Sequence, residues 1–188
     1  MGSVPFFVVA LVVGAMSQQM PQAQANTTDK VVNLTLPADW VPFRADVLRV
    51  SSGDTTRGTF HRRRDGSTAH YLITPGGPAI TIHNLATHQT YVKLGDRDWV
   101  TRPVDEKALA TPLQELKLPR KQVQVIRDAV LGDIYEFANA GAKGVVRLVP
   151  SLNAFLMSFH LPNGESHEYL NIHIGDQPDE LFVPRPVP

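Results

Sequence analysis

The seven histidines of this chain are its most versatile side chains, able to bind a metal, move a proton or hydrogen-bond a ligand near neutral pH. His167-Glu168 followed by His173 has the residue types of a zinc-protease motif without its spacing. That motif needs two histidines one helical turn apart. Here they stand six positions apart in a strand-like run, which sets them on one face but roughly 20 Å from each other at about 3.3 Å per residue. They cannot share one ion. His83 and His88 flank a turn and can face each other, yet no third ligand accompanies them. The histidines therefore read as strand residues, and neither a metal nor a cofactor is expected.

The densest basic run is His61-Arg62-Arg63-Arg64. Strand alternation sends its side chains to both faces, which describes a solvated hairpin tip. The competing reading is a site for an anionic headgroup or an acidic partner. No G-x-S-x-G elbow, phosphate loop or dinucleotide fingerprint occurs. Pro75-Gly76-Gly77-Pro78 is glycine-rich, but a strand follows it rather than a helix. Asp96 and Asp98 lie in a turn, where Asp serves backbone geometry. No catalytic residue emerges, and the expectation is a protein that is not an enzyme.

Charge narrows the partners. Lys plus Arg number 18 and Asp plus Glu number 18, for a net charge of zero. Nucleic-acid binding generally requires a basic excess, so nucleic acid is not expected, nor is purely electrostatic membrane binding. There is no cysteine, hence no disulfide and no thiolate metal site. Val4 to Met16 is apolar and uncharged but shorter than the roughly 20 residues that span a bilayer. With Ala23-Gln24-Ala25 as a small-x-small cleavage site it reads as a signal peptide over residues 1–25, although Met1-Gly2-Ser3 lacks the usual Lys or Arg. A periplasmic or secreted protein is expected, one β-rich domain over residues 26–188 with no integral membrane segment. Asn26-Thr27-Thr28 and Asn33-Leu34-Thr35 match the glycosylation triplet, which has meaning only in a eukaryotic secretory route.

The elements that position these residues are mostly strands. Ile80 and Ile82 alternate with Thr81 and His83, Thr90, Val92 and Leu94 alternate with Tyr91 and Lys93, and a short strand is predicted around Trp99. Turns at Asn84 to Thr87 and Gly95 to Arg97 make this an antiparallel meander. Arg57 to Arg64 and Ser67 to Thr74 flank Asp65-Gly66, a strong hairpin signal. Trp40 to Val50 reads as a strand that Pro42 pushes to an edge. Asp133 to Ala138, Val145 to Val149, Asn153 to Leu161 and Glu165 to Ile174 follow, with a second hairpin at Asn163-Gly164. Phe155, Met157, Phe159 and Leu161 share one predicted strand face, and Leu170, Ile172 and Ile174 another. Asp105 to Leu118 reads as helical pieces, with Thr111-Pro112 as N-cap and N1 and Gln114 at the capping-box position. Gln122 to Leu131 fits either period, and strand is preferred. The tail Pro184 to Pro188 reads as extended and frayed.

Three groups of residues carry a family resemblance. Arg57-Gly58-Thr59-Phe60 leads to Asp65-Gly66-Ser67. Ile82, Asn84, Thr90, Tyr91, Trp99 and Pro103 mark the meander. Gly175, Pro178, Asp179, Leu181, Phe182 and Pro184 close the chain. This layout resembles the bacterial exported LolA/LolB/RseB-like group over most of residues 26–188. The resemblance implies a mainly β fold, an incomplete antiparallel β-barrel whose open side is covered by short helical segments. It implies a binding or carrier protein with an apolar cavity for lipid or another hydrophobic ligand. Cavity candidates are Phe155, Met157, Phe159, Ile80, Ile82 and Ile172. The alternative is an interaction or sensor domain that contacts another envelope protein without a small ligand, and an enzyme with an unrecognised site is the third and least favoured reading.

Overall fold

The computed structural model of the chain describes residues 31–104, 112, 114–119, 123–139 and 144–185. The expected signal peptide and the Asp105 to Ala110 helical piece lie outside them. The described chain is mainly β. Its strands are β1 (Val31–Thr35), β2 (Phe43–Ser51), β3 (Asp54–Arg62), β4 (Thr68–Thr74), β5 (Gly77–Asn84), β6 (Gln89–Leu94) and β7 (Val100–Pro103), then β8 (Glu115–Pro119), β9 (Val123–Asp128), β10 (Gly132–Asn139), β11 (Gly144–Val149), β12 (Phe155–His160) and β13 (Ser166–Ile174).

Two antiparallel sheets result. Eleven strands form one in the order β7-β6-β5-β4-β3-β2-β13-β12-β11-β10-β9, and β1 pairs with β8 in the other. Each half of the large sheet is a meander, because a strand that ends in a tight turn pairs most cheaply with the next one. β2 and β13 join the halves across seven residue pairs. Among the described residues β7 and β9 are not paired to each other, so the sheet is open there and no closed barrel forms.

Turn chemistry sets the left half. Gly66 sits at φ +87, and a Cβ there would lie 2.5 Å from Nε1 of Trp40. The turn therefore needs glycine both for its backbone and for its neighbour. Asp65 accepts the Ser67 amide at 2.9 Å and closes the corner. In the right half two register shifts break strict alternation. Leu148 pairs with Leu156 while Arg147 pairs with Ser158, leaving Met157 as the extra residue of a β-bulge. A second lies between Leu170 and His173, where Asn171 takes φ 49.

Three expectations are corrected. Glu115–Pro119 is a strand rather than helix, because Leu116 and Leu118 repeat with period two and turn one face to Leu34 and Val32 of β1. Among the described residues the helical content consists of two 3-10 turns, Pro150–Leu152 and Asp179–Phe182. β2 lies inside the sheet, not at its edge. Pro42 precedes the strand, where its missing N–H costs nothing, and its carbonyl accepts the Gly175 amide at 3.0 Å.

The core has three parts. The main cluster joins Phe43, Ala45, Val47 and Phe60 to Tyr169, Ile134, Val149 and Leu152. A second joins Ala69, Ile80 and Ile82 to Phe182. A third holds the β1-β8 ribbon to β9 and β10 through Leu34, Leu36 and Leu118.

Candidate functional site

Cross-strand register sorts the left half into two faces. Phe60, His70 and Thr81 are neighbours across β3, β4 and β5, and Ala45 pairs with Phe60 from β2. By alternation Val47, Arg49, Leu72 and His83 share that face. His167 pairs with Arg49 and Tyr169 with Val47 from β13, and Phe159 of β12 pairs with His167. The opposite face carries His61, Ala69, Tyr71, Ile80, Ile82 and Tyr91.

The first face is a row of rings. The His70 imidazole meets the Phe60 ring edge-on at 4.6 Å. Phe60 lies 5.5 Å from Phe155 and 5.4 Å from Tyr169. Tyr169 meets His167 at 4.7 Å, and His167 meets Phe159 at 5.7 Å. The row thus crosses from β4 to β12. Phe60 and Tyr169 are buried, whereas His70, Phe155, Phe159 and His167 are half-buried. Gly58 widens this face, since a Cβ there would collide with the Tyr71 carbonyl at 1.9 Å and with Leu72.

The imidazoles in this row are held neutral. Desolvation pushes His70 down to about 3, with the charges of His167, His83 and His61 adding to the effect. Desolvation pushes His167 down to about 4, and the neighbouring Arg49 guanidinium works in the same direction. His83 is lowered by burial and then by Arg102, and its Nδ1 meets Thr90 Oγ1 at 3.0 Å. The Nε2 atom of His167 is buried without a hydrogen-bond partner. Neutral imidazoles and aromatic rings suit an uncharged or weakly polar body, and nothing in the row is arranged as nucleophile and base.

The opposite face is closed by the C-terminal segment. Tyr71 Oη donates to the Leu181 carbonyl at 2.6 Å, Asn84 Nδ2 to the Phe182 carbonyl at 2.9 Å and Trp99 Nε1 to the Arg185 carbonyl at 3.0 Å. Phe182 is wholly buried there against Ala69, Ile80 and Ile82. The expected fraying therefore does not extend to Pro184 and Arg185, and residues 186–188 lie outside the described chain.

The six cavity candidates are divided. Phe155, Met157 and Ile172 pack on the main cluster. Ile80 and Ile82 lie under the C-terminal segment, on the other side of the sheet. Phe159 stands against His167. The bulge at Met157 interrupts the alternation that placed Phe155, Met157 and Phe159 on one face, and the Asn171 bulge likewise separates Ile172 from exposed Leu170 and Ile174. Two surface clefts of about 410 and 270 Å³ lie elsewhere, one along Pro37 to Pro42 with Arg64 and Asp176, the other beside Leu34, Tyr135 and Pro150.

The basic run is not a uniformly solvated tip. Arg62 is buried and donates to the Val41 carbonyl at 3.0 Å, the Leu152 carbonyl at 2.9 Å and Asn153 Oδ1 at 3.3 Å. Its guanidinium lies 5.0 Å from the centre of the Trp40 ring and 4.7 Å from that of Phe43. Burial lowers its pKa to about 9, so it remains a cation at neutral pH. His61 is buried too, its Nδ1 2.9 Å from Gln177 Oε1. Arg63 pairs with Asp65 and Asp179, and Arg64 reaches Asp176 at 3.2 Å across an exposed surface. Alternation had placed these side chains on two faces; burial was invisible because the covering segments come from residues 37–42, 152–153 and 177–182.

Among the described residues no group of three His, Asp or Glu side chains is placed to hold a metal ion, and no helix is long and apolar enough to cross a membrane. No sequence model of a known family matches the chain, and no characterised protein matches it in sequence.

Proposed function

We propose that this chain is an exported binding or carrier protein without catalytic activity, which holds an apolar or amphipathic ligand against the ring face of a curved, unclosed half-barrel. The observation that carries this reading is the row from His70 to Phe159. Its rings at His70, Phe155, Phe159 and His167 are left half-buried, while on β4 and β5 the opposite face is covered by Leu181 and Phe182. Ligand sites are lined mainly by apolar and aromatic side chains with a few polar groups among them. Contact falls on Phe159, the two imidazoles and the exposed parts of Met157 and Leu72, which like Phe155 also pack on the main cluster, while Ile80 and Ile82 lie under Leu181 and Phe182.

The test is native mass spectrometry of the full chain recovered from the cell envelope, with titration of the uncharged probe N-phenyl-1-naphthylamine. A bound lipid or saturable probe binding, weakened by Phe159→Ala, is expected. A protein that carries nothing and leaves the probe dark would end the carrier reading. A second reading, docking of another envelope protein, is favoured by the edge strands β7 and β9, whose outer sides pair with no described strand and where Val100 is 61 % and Val125 49 % exposed. Open strand edges accept an added strand. Val125→Pro would then abolish partner capture in crosslinking and leave probe binding intact.

A further inference from the structure

The ring face ends on a cation that pairs with no described residue. Arg49 is half-buried on β2, and among the described residues it has no hydrogen-bond or ion-pair partner. Its cross-strand neighbours are His167 on β13 and Thr56 on β3. His167 Nε2, next to it, is buried and equally unpartnered. A buried polar atom without a partner is rare in folded proteins and marks a place where a ligand or water belongs. The rings of Phe159 and Tyr169 lie against the same imidazole. An unpaired guanidinium, an unsatisfied imidazole nitrogen and an aromatic floor therefore meet at one end of the row.

The geometry points to a headgroup site: Arg49 and His167 take the anionic head of a single-chain amphiphile whose alkyl part lies along Phe159, Tyr169 and the ring row. This rests on the ligand-binding reading given above and adds the chemical class of the ligand. Guanidinium binds carboxylate and phosphate alike, through two parallel N–H donors. His167, neutral at pH 7, supplies a further hydrogen bond once Phe159 shifts to admit an oxygen. One group opposes the anion. Glu165 lies two positions before His167 on the same strand face, with Oε1 3.4 Å from Ser51 Oγ. It makes no ion pair with Arg49, and its repulsion weakens the site without filling it.

The experiment titrates the full chain with dodecanoate, dodecyl phosphate and dodecanol at low salt. In the parent the anionic chains should bind about tenfold tighter than dodecanol, as expected for a hydrogen bond to a charged group. The preference should vanish in Arg49→Gln, persist in Arg49→Lys and widen in Glu165→Gln. Arg49 makes no hydrogen bond, so its variants should unfold at the parent's urea midpoint. A preference for only one anion still supports the site and identifies which head it takes. Equal binding of all three chains overturns the headgroup site and leaves the ring face as a ligand surface. Failure of all three to bind overturns both readings.

Discussion

The two faces of the β3 to β6 meander are built by the same strands with the same alternation, yet they end differently. On one, Ile80 and Ile82 are core because Leu181 and Phe182 arrive from about a hundred positions away to cover them. On the other, Phe60 is core but His70 and, further along the row, Phe159 and His167 keep part of their surface. Alternation creates two sides. A covering segment decides which one becomes interior. The sharpest way to break the comparison is to remove the cover. Phe182 is wholly buried, and Phe182→Ala should cost about 3–5 kcal/mol in urea unfolding, the usual range for emptying such a site. A loss below about 1 kcal/mol, typical of a surface position, would mean that the segment rests on the sheet without stabilising it.

Arg62 tests the border of the ring face. It fastens Val41, Leu152 and Asn153 to β3, and Asn153 in turn donates to the carbonyls of Pro37 and Asp39. Arg62→Leu leaves the Val41 and Leu152 carbonyls without their donor, while Asn153 Oδ1 keeps the Val41 amide, and each buried group so orphaned costs about 1–3 kcal/mol. Leucine recovers apolar burial and avoids desolvating a cation. The expected net loss is about 2 kcal/mol by urea unfolding. A variant as stable as the parent would show that the cation contributes no more than its volume.

The imidazoles sharpen the contrast through pH. His70 and His167 have folded pKa values lowered to about 3 and about 4, whereas an unfolded histidine titrates near 6.5. Above that value both states are neutral and stability is flat. As pH falls below 6.5 the unfolded chain takes up protons that the folded chain refuses, so stability declines until the folded groups titrate. His61 and His83 are lowered as well and act with the same sign. Between pH 7.5 and 5.5 each fully neutral histidine should withdraw about 1 kcal/mol. His70→Phe should remove its share of that decline, measured as urea midpoints at the two pH values. A parent profile without any decline over this interval would show that water reaches these rings freely.

What the sequence disclosed follows physical range. The meander was legible because its determinants are local: Asp65-Gly66 needs a positive φ, and Ile80-x-Ile82 needs only its neighbours. Leu113, Leu116 and Leu118 with a capping pattern fit a helix as well as a strand, and the pairing with Val31–Thr35 that settles Glu115–Pro119 lies about eighty positions away. The bulges at Met157 and Asn171 carry no residue signature, so these breaks in strict alternation were not legible. Arg49 was unremarkable in sequence, and His167 stood out only beside Glu168 and His173. They become neighbours only through the β2–β13 register. His70 gave no sign that it differed from six other histidines, because the Phe60 ring it meets comes from the neighbouring strand.

The smallest expected effect separates ligand surface from core on the ring face itself. Phe159 shares its predicted strand face with Phe155, Met157 and Leu161. In the structure its ring contact is His167, while Phe155 meets the rings of Phe43, Phe60 and Tyr169. Deleting the Phe159 ring therefore removes few protein contacts, and the dispersion lost scales with those contacts. Phe159→Ala should cost about 1 kcal/mol, as at positions outside the packed core. Phe155→Ala should cost about 3 kcal/mol, near the lower end of the range for a buried aromatic, since part of that ring is exposed. Binding should follow the reverse order, with N-phenyl-1-naphthylamine affinity falling more in Phe159→Ala. The comparison needs both measurements on both variants. Equal stability losses would put Phe159 in the core and confine the ligand surface to His70, Leu72 and their β5 neighbours. A smaller stability loss together with a larger binding loss at Phe159 is what a ring held out for a ligand requires.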